Sequence, residues 1–107
     1  MKELNTINFF GEEIKSLNII TVSETEELSI KTDSRLLVDS VGVTVTLNFD
    51  DNEEGAKIEI YAFEDCTVNY YTTSSATASL AMQSGTHVSF IYHNGWNYSG
   101  MYGAVWN

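Results

Sequence analysis

Proline is missing from this chain of 107 residues, and cysteine occurs once, as Cys66. A lone cysteine excludes an intramolecular disulfide and any metal cluster built from cysteines, and it gives no sign of an oxidising compartment. Basic residues are scarce. Lys2, Lys15, Lys31, Arg35 and Lys57 stand against fifteen carboxylates, for a net charge of −10. Phosphate backbones are held by clustered Lys and Arg, so nucleic acid and anionic membranes are not expected partners. The apolar runs are too short to cross a bilayer as a helix, and no membrane insertion is expected. Neither a basic-plus-apolar signal segment nor an Arg-rich transit segment opens the chain, so export by the usual route is not expected. The lack of proline fits a chain held mostly in paired strands.

Charge is also missing from one whole region. Every acidic and basic residue falls within residues 1 to 65, and residues 66 to 107 contain no Asp, Glu, Lys or Arg. Those residues are rich in Ser, Thr, Asn, Gly and Tyr, and they hold eight of the thirteen aromatics. The cores of protein interfaces are depleted of Lys, Glu and Asp and enriched in Tyr and Trp, whereas ordinary surfaces mix charges of both signs. The uncharged half therefore reads as surface that is covered in use, and the alternative is a neutral monomer surface kept soluble by the acidic half.

What is present is strand periodicity. In Val41-Gly42-Val43-Thr44-Val45-Thr46-Leu47-Asn48-Phe49 apolar residues recur at every second position, the pattern of a half-buried strand. Ala56 to Ala62 puts Ile58 and Ile60 inward and Lys57 and Glu59 outward, and the acidic residues 50 to 54 before Gly55 read as a hairpin loop joining the two. Weaker alternation marks Leu17 to Val22, Leu28 to Lys31, Cys66 to Thr72 and Ala76 to Gln83. Strand-sized pieces at such spacing predict an all-β fold, an antiparallel β-sandwich or jelly-roll-like domain over residues 17 to 107.

Residues 84 to 100, SGTHVSFIYHNGWNYSG, read as a hairpin. Val88, Phe90 and Tyr92 share one face, His87, Ser89 and Ile91 the other, and Asn94-Gly95 suits a two-residue type I′ turn. Trp96 and Tyr98 share a face of the return strand, so cross-strand aromatic pairs are expected. Residues 1 to 16 form a separate docking or covering segment. Leu4, Ile7, Phe10, Ile14 and Leu17 fall at helical intervals, and Ile7, Phe9, Phe10 and Ile14 are its candidate docking residues.

No catalytic constellation, cofactor motif or metal site stands out. Asp50, Asn52, Glu54 and Gly55 align with the start of an EF-hand loop, but Lys57 and Tyr61 occupy positions that should be apolar and bidentate Glu. His87 and His93, taken as one strand, lie roughly 20 Å apart and cannot share a metal. Glu64-Asp65, read as adjacent strand residues, point to opposite faces and cannot flank a glycosidic bond. Cys66 reads as a buried apolar side chain. Exposed Tyr70, Tyr71, Tyr92, Trp96, Tyr98, Tyr102 and Trp106, with His93, would suit either an oligomer seam or a sugar-binding face.

Residues 43 to 98 resemble the small β-sandwich repeated in bacteriophage fibre, baseplate and head-decoration proteins. The likeness runs through the Thr-rich strand Val43-Thr44-Val45-Thr46-Leu47, then Gly55-Ala56-Lys57-Ile58-Glu59-Ile60, then Thr67-Val68-Asn69. It ends in Ser84 to Trp96, with the aromatic turn Tyr92-His93-Asn94-Gly95-Trp96. The resemblance implies a non-enzymatic virion protein, a short head fibre, decoration protein or tail-adhesin piece. It further implies a homotrimer that contacts other virion proteins of capsid or tail, and in an adhesin a host-surface glycan. The alternative is a carbohydrate-binding module using the aromatic, uncharged face.

Overall fold

The computed structural model describes residues 17–102, the last two by their backbone alone. The docking segment with Ile7, Phe9, Phe10 and Ile14, and Trp106 at the other end, lie outside the described residues. Among the described residues nine strands form two packed sheets, and the domain is an all-β sandwich. They are β1 (Asn18–Val22), β2 (Glu26–Leu28), β3 (Ser34–Val38), β4 (Val43–Leu47), β5 (Lys57–Ala62), β6 (Cys66–Thr73), β7 (Ala76–Met82), β8 (His87–Tyr92) and β9 (Trp96–Tyr102).

The strands are joined differently from a purely antiparallel sandwich. β1 to β6 alternate between the sheets, so a strand that runs up one sheet is followed by one running down the other, and the next returns in the first direction. Neighbours within a sheet are then parallel by necessity. β1, β3 and β5 pair in parallel in one sheet, and β2, β4 and β6 do so in the other. Only the later strands add antiparallel pairs: β7 to β6, β8 to β5 and β9 to β8. The sheet orders are β1-β3-β5-β8-β9 and β2-β4-β6-β7.

The expected hairpin between β4 and β5 is corrected accordingly, since those strands lie in opposite sheets and face each other across the core. Leu28 to Lys31 is mostly a connection, because β2 ends at Leu28, and β3 is a strand that alternation did not mark out. In β3 the run Leu36-Leu37-Val38 blurs the period, yet Leu36 and Val38 are buried and Leu37 is not. Elsewhere the period holds: Val43, Val45 and Leu47 meet Ile58, Ile60, Val68, Val88 and Phe90 in one core. Each large side chain fully removed from water there contributes about 1.5–3 kcal/mol.

The acidic stretch after β4 is shaped by Asn52. Its Nδ2 donates to the carbonyls of Asn48, Phe49 and Asp50 at 2.8, 3.0 and 3.2 Å, and its Oδ1 accepts from the Ile30 N–H at 2.7 Å. Both polar atoms of the side chain are thus engaged with backbone groups. Replacing Asn52 with alanine should cost about 2–3 kcal/mol in urea denaturation, since several partly buried groups lose their partner at once. A loss below about 0.5 kcal/mol would show that the loop holds its shape without it.

Candidate functional site

The division of charge along the sequence becomes a division in space. The Tyr70 ring of β6 lies 4.7 Å from that of Phe90 in β8, which places β6, β7, β8 and β9 together on one flank of the sandwich. Asp, Glu, Lys and Arg are absent from these four strands. The acids gather in the connections and on the other strands, including Glu26 and Glu27 of the edge strand β2.

The aromatic candidates do not form one surface. Trp96 is 1% exposed and Tyr92 9%, so both are core residues and cannot line a ligand face or subunit seam. Trp96 Nε1 donates to the Asn48 carbonyl at 2.8 Å and the Tyr92 hydroxyl donates to the Phe49 carbonyl at 2.6 Å. Their rings meet edge to face at 5.2 Å, one of the expected cross-strand pairs. Tyr92 shares its strand face with Val88 and Phe90, and that was the signal for its burial. Tyr98 is 44% exposed and packs 5.7 Å from Phe90, while Tyr70 is half-buried against the core. Tyr102 lies in β9 opposite His87.

The turn that ends β8 departs from the two-residue form. Tyr92 pairs with Trp96, leaving His93, Asn94 and Gly95 in the connection. Asn94 and Gly95 both have positive φ, at 56° and 118°, as the sequence required. His93 thus sits beyond the strand rather than in line with His87. Its Nδ1 hydrogen-bonds Glu54 of the acidic connection, a partner 39 residues away that no local pattern could supply. His87 instead stacks on Tyr61 at 4.9 Å. Glu64 and Asp65 are likewise connection residues, and the Asp65 carboxylate accepts from the Ser84 N–H at 2.8 Å.

Two of the concavities among the described residues reach strands of the flank. One, about 340 Å³, lies where Tyr71, Ser74 and Ser29 meet Glu27, Asp50 and Asp51. The other, about 440 Å³, lies on the outer face of the β1-β3-β5-β8-β9 sheet between Leu17, Asp33, Lys57 and Ile91, and includes Arg35 and Glu59. There the Arg35 Nε donates to Glu59 at 3.3 Å, and its guanidinium carbon lies 5.6 Å from the Tyr61 ring centre. Burial, then the neighbouring Glu59 carboxylate, raises the Tyr61 phenol above its ordinary value despite Arg35. Among the described residues no three His, Cys, Asp or Glu side chains are grouped to hold a metal ion.

Cys66 is buried, and that burial, helped by the Asp65 carboxylate, pushes its thiol from 9.0 up to about 11. At pH 8 the thiolate fraction falls about 100-fold, so disulfide reagents should label the native protein at least that much more slowly than the unfolded chain. The unfolded thiol ionises first as pH rises, so the neutral form favours the folded state below pH 9. That contribution is lost between 9 and 11, and denaturation midpoints measured across this range should fall. A midpoint that stayed level would refute the shift.

What the sequence did not reveal is the pairing of the Asn48 and Phe49 carbonyls with Trp96 and Tyr92, because backbone acceptors carry no residue signature. Comparison with family models, with curated proteins and with solved structures finds no match to the chain.

Proposed function

We propose that the protein is a non-catalytic structural component of a bacteriophage particle, working as a homo-oligomer whose uncharged flank is covered by neighbouring copies. The observation that carries this reading is the flank itself. On a chain of net charge −10, β6 to β9 present only neutral groups, and Ala78, Leu80, Tyr70 and Tyr98 are left partly exposed beside the core. Copies that met through the acidic connections would bring carboxylates together at about 4 kcal/mol for each pair at 4 Å, with an effective dielectric near 20. Through the flank they meet without that cost.

The virion setting rests on the resemblance of residues 43 to 98, which implies three copies. The uncharged edge strand β7 favours pairs. Light scattering on a sizing column at low micromolar concentration tests the common element: the expected mass is two or three chains of 12.0 kDa. A single chain would overturn self-association, and titration with host-surface glycans would then test whether the exposed Tyr98 and the half-buried Tyr71 belong to a carbohydrate-binding module.

A further inference from the structure

β7 is an edge strand of seven residues, Ala76-Thr77-Ala78-Ser79-Leu80-Ala81-Met82, without charge, proline or glycine. Among the described residues its paired side faces β6, and no strand lies on its other side. Sheet edges in soluble proteins are usually blunted by charges, bulges or shortness, because unpaired N–H and C=O groups invite another strand. β2, the edge at the opposite side of the same sheet, is only three residues long and carries Glu26 and Glu27. β9, the neighbouring edge of the other sheet, is broken by a register shift opposite Ser89/Phe90. β7 is long and uncharged, and the one irregularity in its pairing, between Tyr71 and Thr73, puts the extra residue on β6 and not on the edge strand itself.

Its sequence is also complementary to itself. Turned antiparallel about Ser79, Leu80 faces Ala78 of a second copy, Met82 faces Ala76, Ala81 faces Thr77 and Ser79 faces Ser79. On the inner face each larger side chain therefore meets an alanine, which lets two copies approach without overpacking. On the outer face the Ser79 hydroxyl, which donates to Asn69, continues a polar row from one copy into the next.

We infer that two copies of this chain join β7 to β7 in antiparallel register about a twofold axis at Ser79, making one continuous eight-stranded sheet. Alternate residues of β7 turn their N–H and C=O groups to the open side, so the contact closes a ladder that a monomer leaves to water. Such a contact is self-complementary and closes at two copies, so it yields discrete dimers and not open fibres. The inference rests on the reading that the neutral flank is covered by other copies, and replaces the threefold number with a pair.

The test is the mass of the wild-type chain and of Ser79→Lys, with Thr44→Lys as a control on the outer face two strands away. Wild type and the control should be dimers. Ser79→Lys sets two ammonium groups side by side and should raise the concentration of half-dissociation at least tenfold, with an unchanged circular dichroism spectrum. Should the lysine variant misfold, Ser79→Cys serves instead. Mild oxidation should link it covalently to a second copy, and Thr44→Cys should remain unlinked. A wild-type trimer would overturn the β7 pairing while leaving self-association standing, and a monomer would overturn both. A dimer indifferent to Ser79→Lys, or a cysteine variant that fails to cross-link, would overturn the pairing alone.

Discussion

Replacing Trp96 with alanine should lower the unfolding free energy by about 4–6 kcal/mol. Removing a buried tryptophan from a packed core costs about 3–5 kcal/mol, and the Asn48 carbonyl, which accepts from Nε1 at 2.8 Å, would also lose its partner at roughly 1 kcal/mol or more. Domains of this size are stable by about 5–15 kcal/mol, so the variant should be partly unfolded at 25 °C. Trp96→Phe separates the two contributions. It keeps a ring against Tyr92 but gives up the N–H, and should cost clearly less than alanine. Urea denaturation followed by far-ultraviolet circular dichroism reads both. An alanine variant within 1 kcal/mol of wild type would place the indole outside the core.

Gly95→Ala should cost about 3–5 kcal/mol although it adds only one methyl group. The residue has φ of 118°, which side chains with a Cβ avoid at about 1–3 kcal/mol. The added Cβ would lie 2.0 Å from the Thr72 carbonyl oxygen and 2.7 Å from its carbon. Those are backbone atoms of β6, so no rotamer change relieves the clash, and a main-chain shift between the sheets adds about 1–3 kcal/mol. Gly85→Ala is the natural comparison, because Gly85 also has positive φ, at 92°, but meets nothing within 4 Å. It should lose only the conformational part, about 1–2 kcal/mol. Equal losses at the two positions would show that the approach of Thr72 to Gly95 does not constrain the fold.

The two glycines illustrate what a sequence can carry. Asn94-Gly95 announced positive φ through residue type, and alternation in Val43 to Leu47, Ile58 to Ile60 and Val88 to Tyr92 announced which side chains turn inward. A period of two names the face of a strand but not its neighbour. Ile58 and Ile60 bury equally well across the core from Val45 and Leu47 as beside them, so the hairpin and the coil of alternating sheets share one pattern. The same limit explains the aromatic residues. Absence of charge marked a neutral flank correctly, but Tyr92 and Trp96 satisfy their polar atoms on carbonyls of residues 48 and 49, more than forty positions earlier. Read as surface, they turned out to be core. His93 and Glu54 are joined in the same way, by the placement of two connections at one end of the sandwich.

The order of strands also governs when the protein can fold as it is made. β8 follows seven other strands among the described residues, yet in its sheet it sits inside, between β5 and β9. A nascent chain ending after β6 has its parallel coil but no strand against β5, and it lacks Phe90, Tyr92 and Trp96 from its centre. Emergence of β1 to β6 alone therefore gives an open half-sandwich with exposed valines and isoleucines. The carboxylates, all within residues 1 to 65, should keep such intermediates apart by mutual repulsion while the neutral strands are still being synthesised.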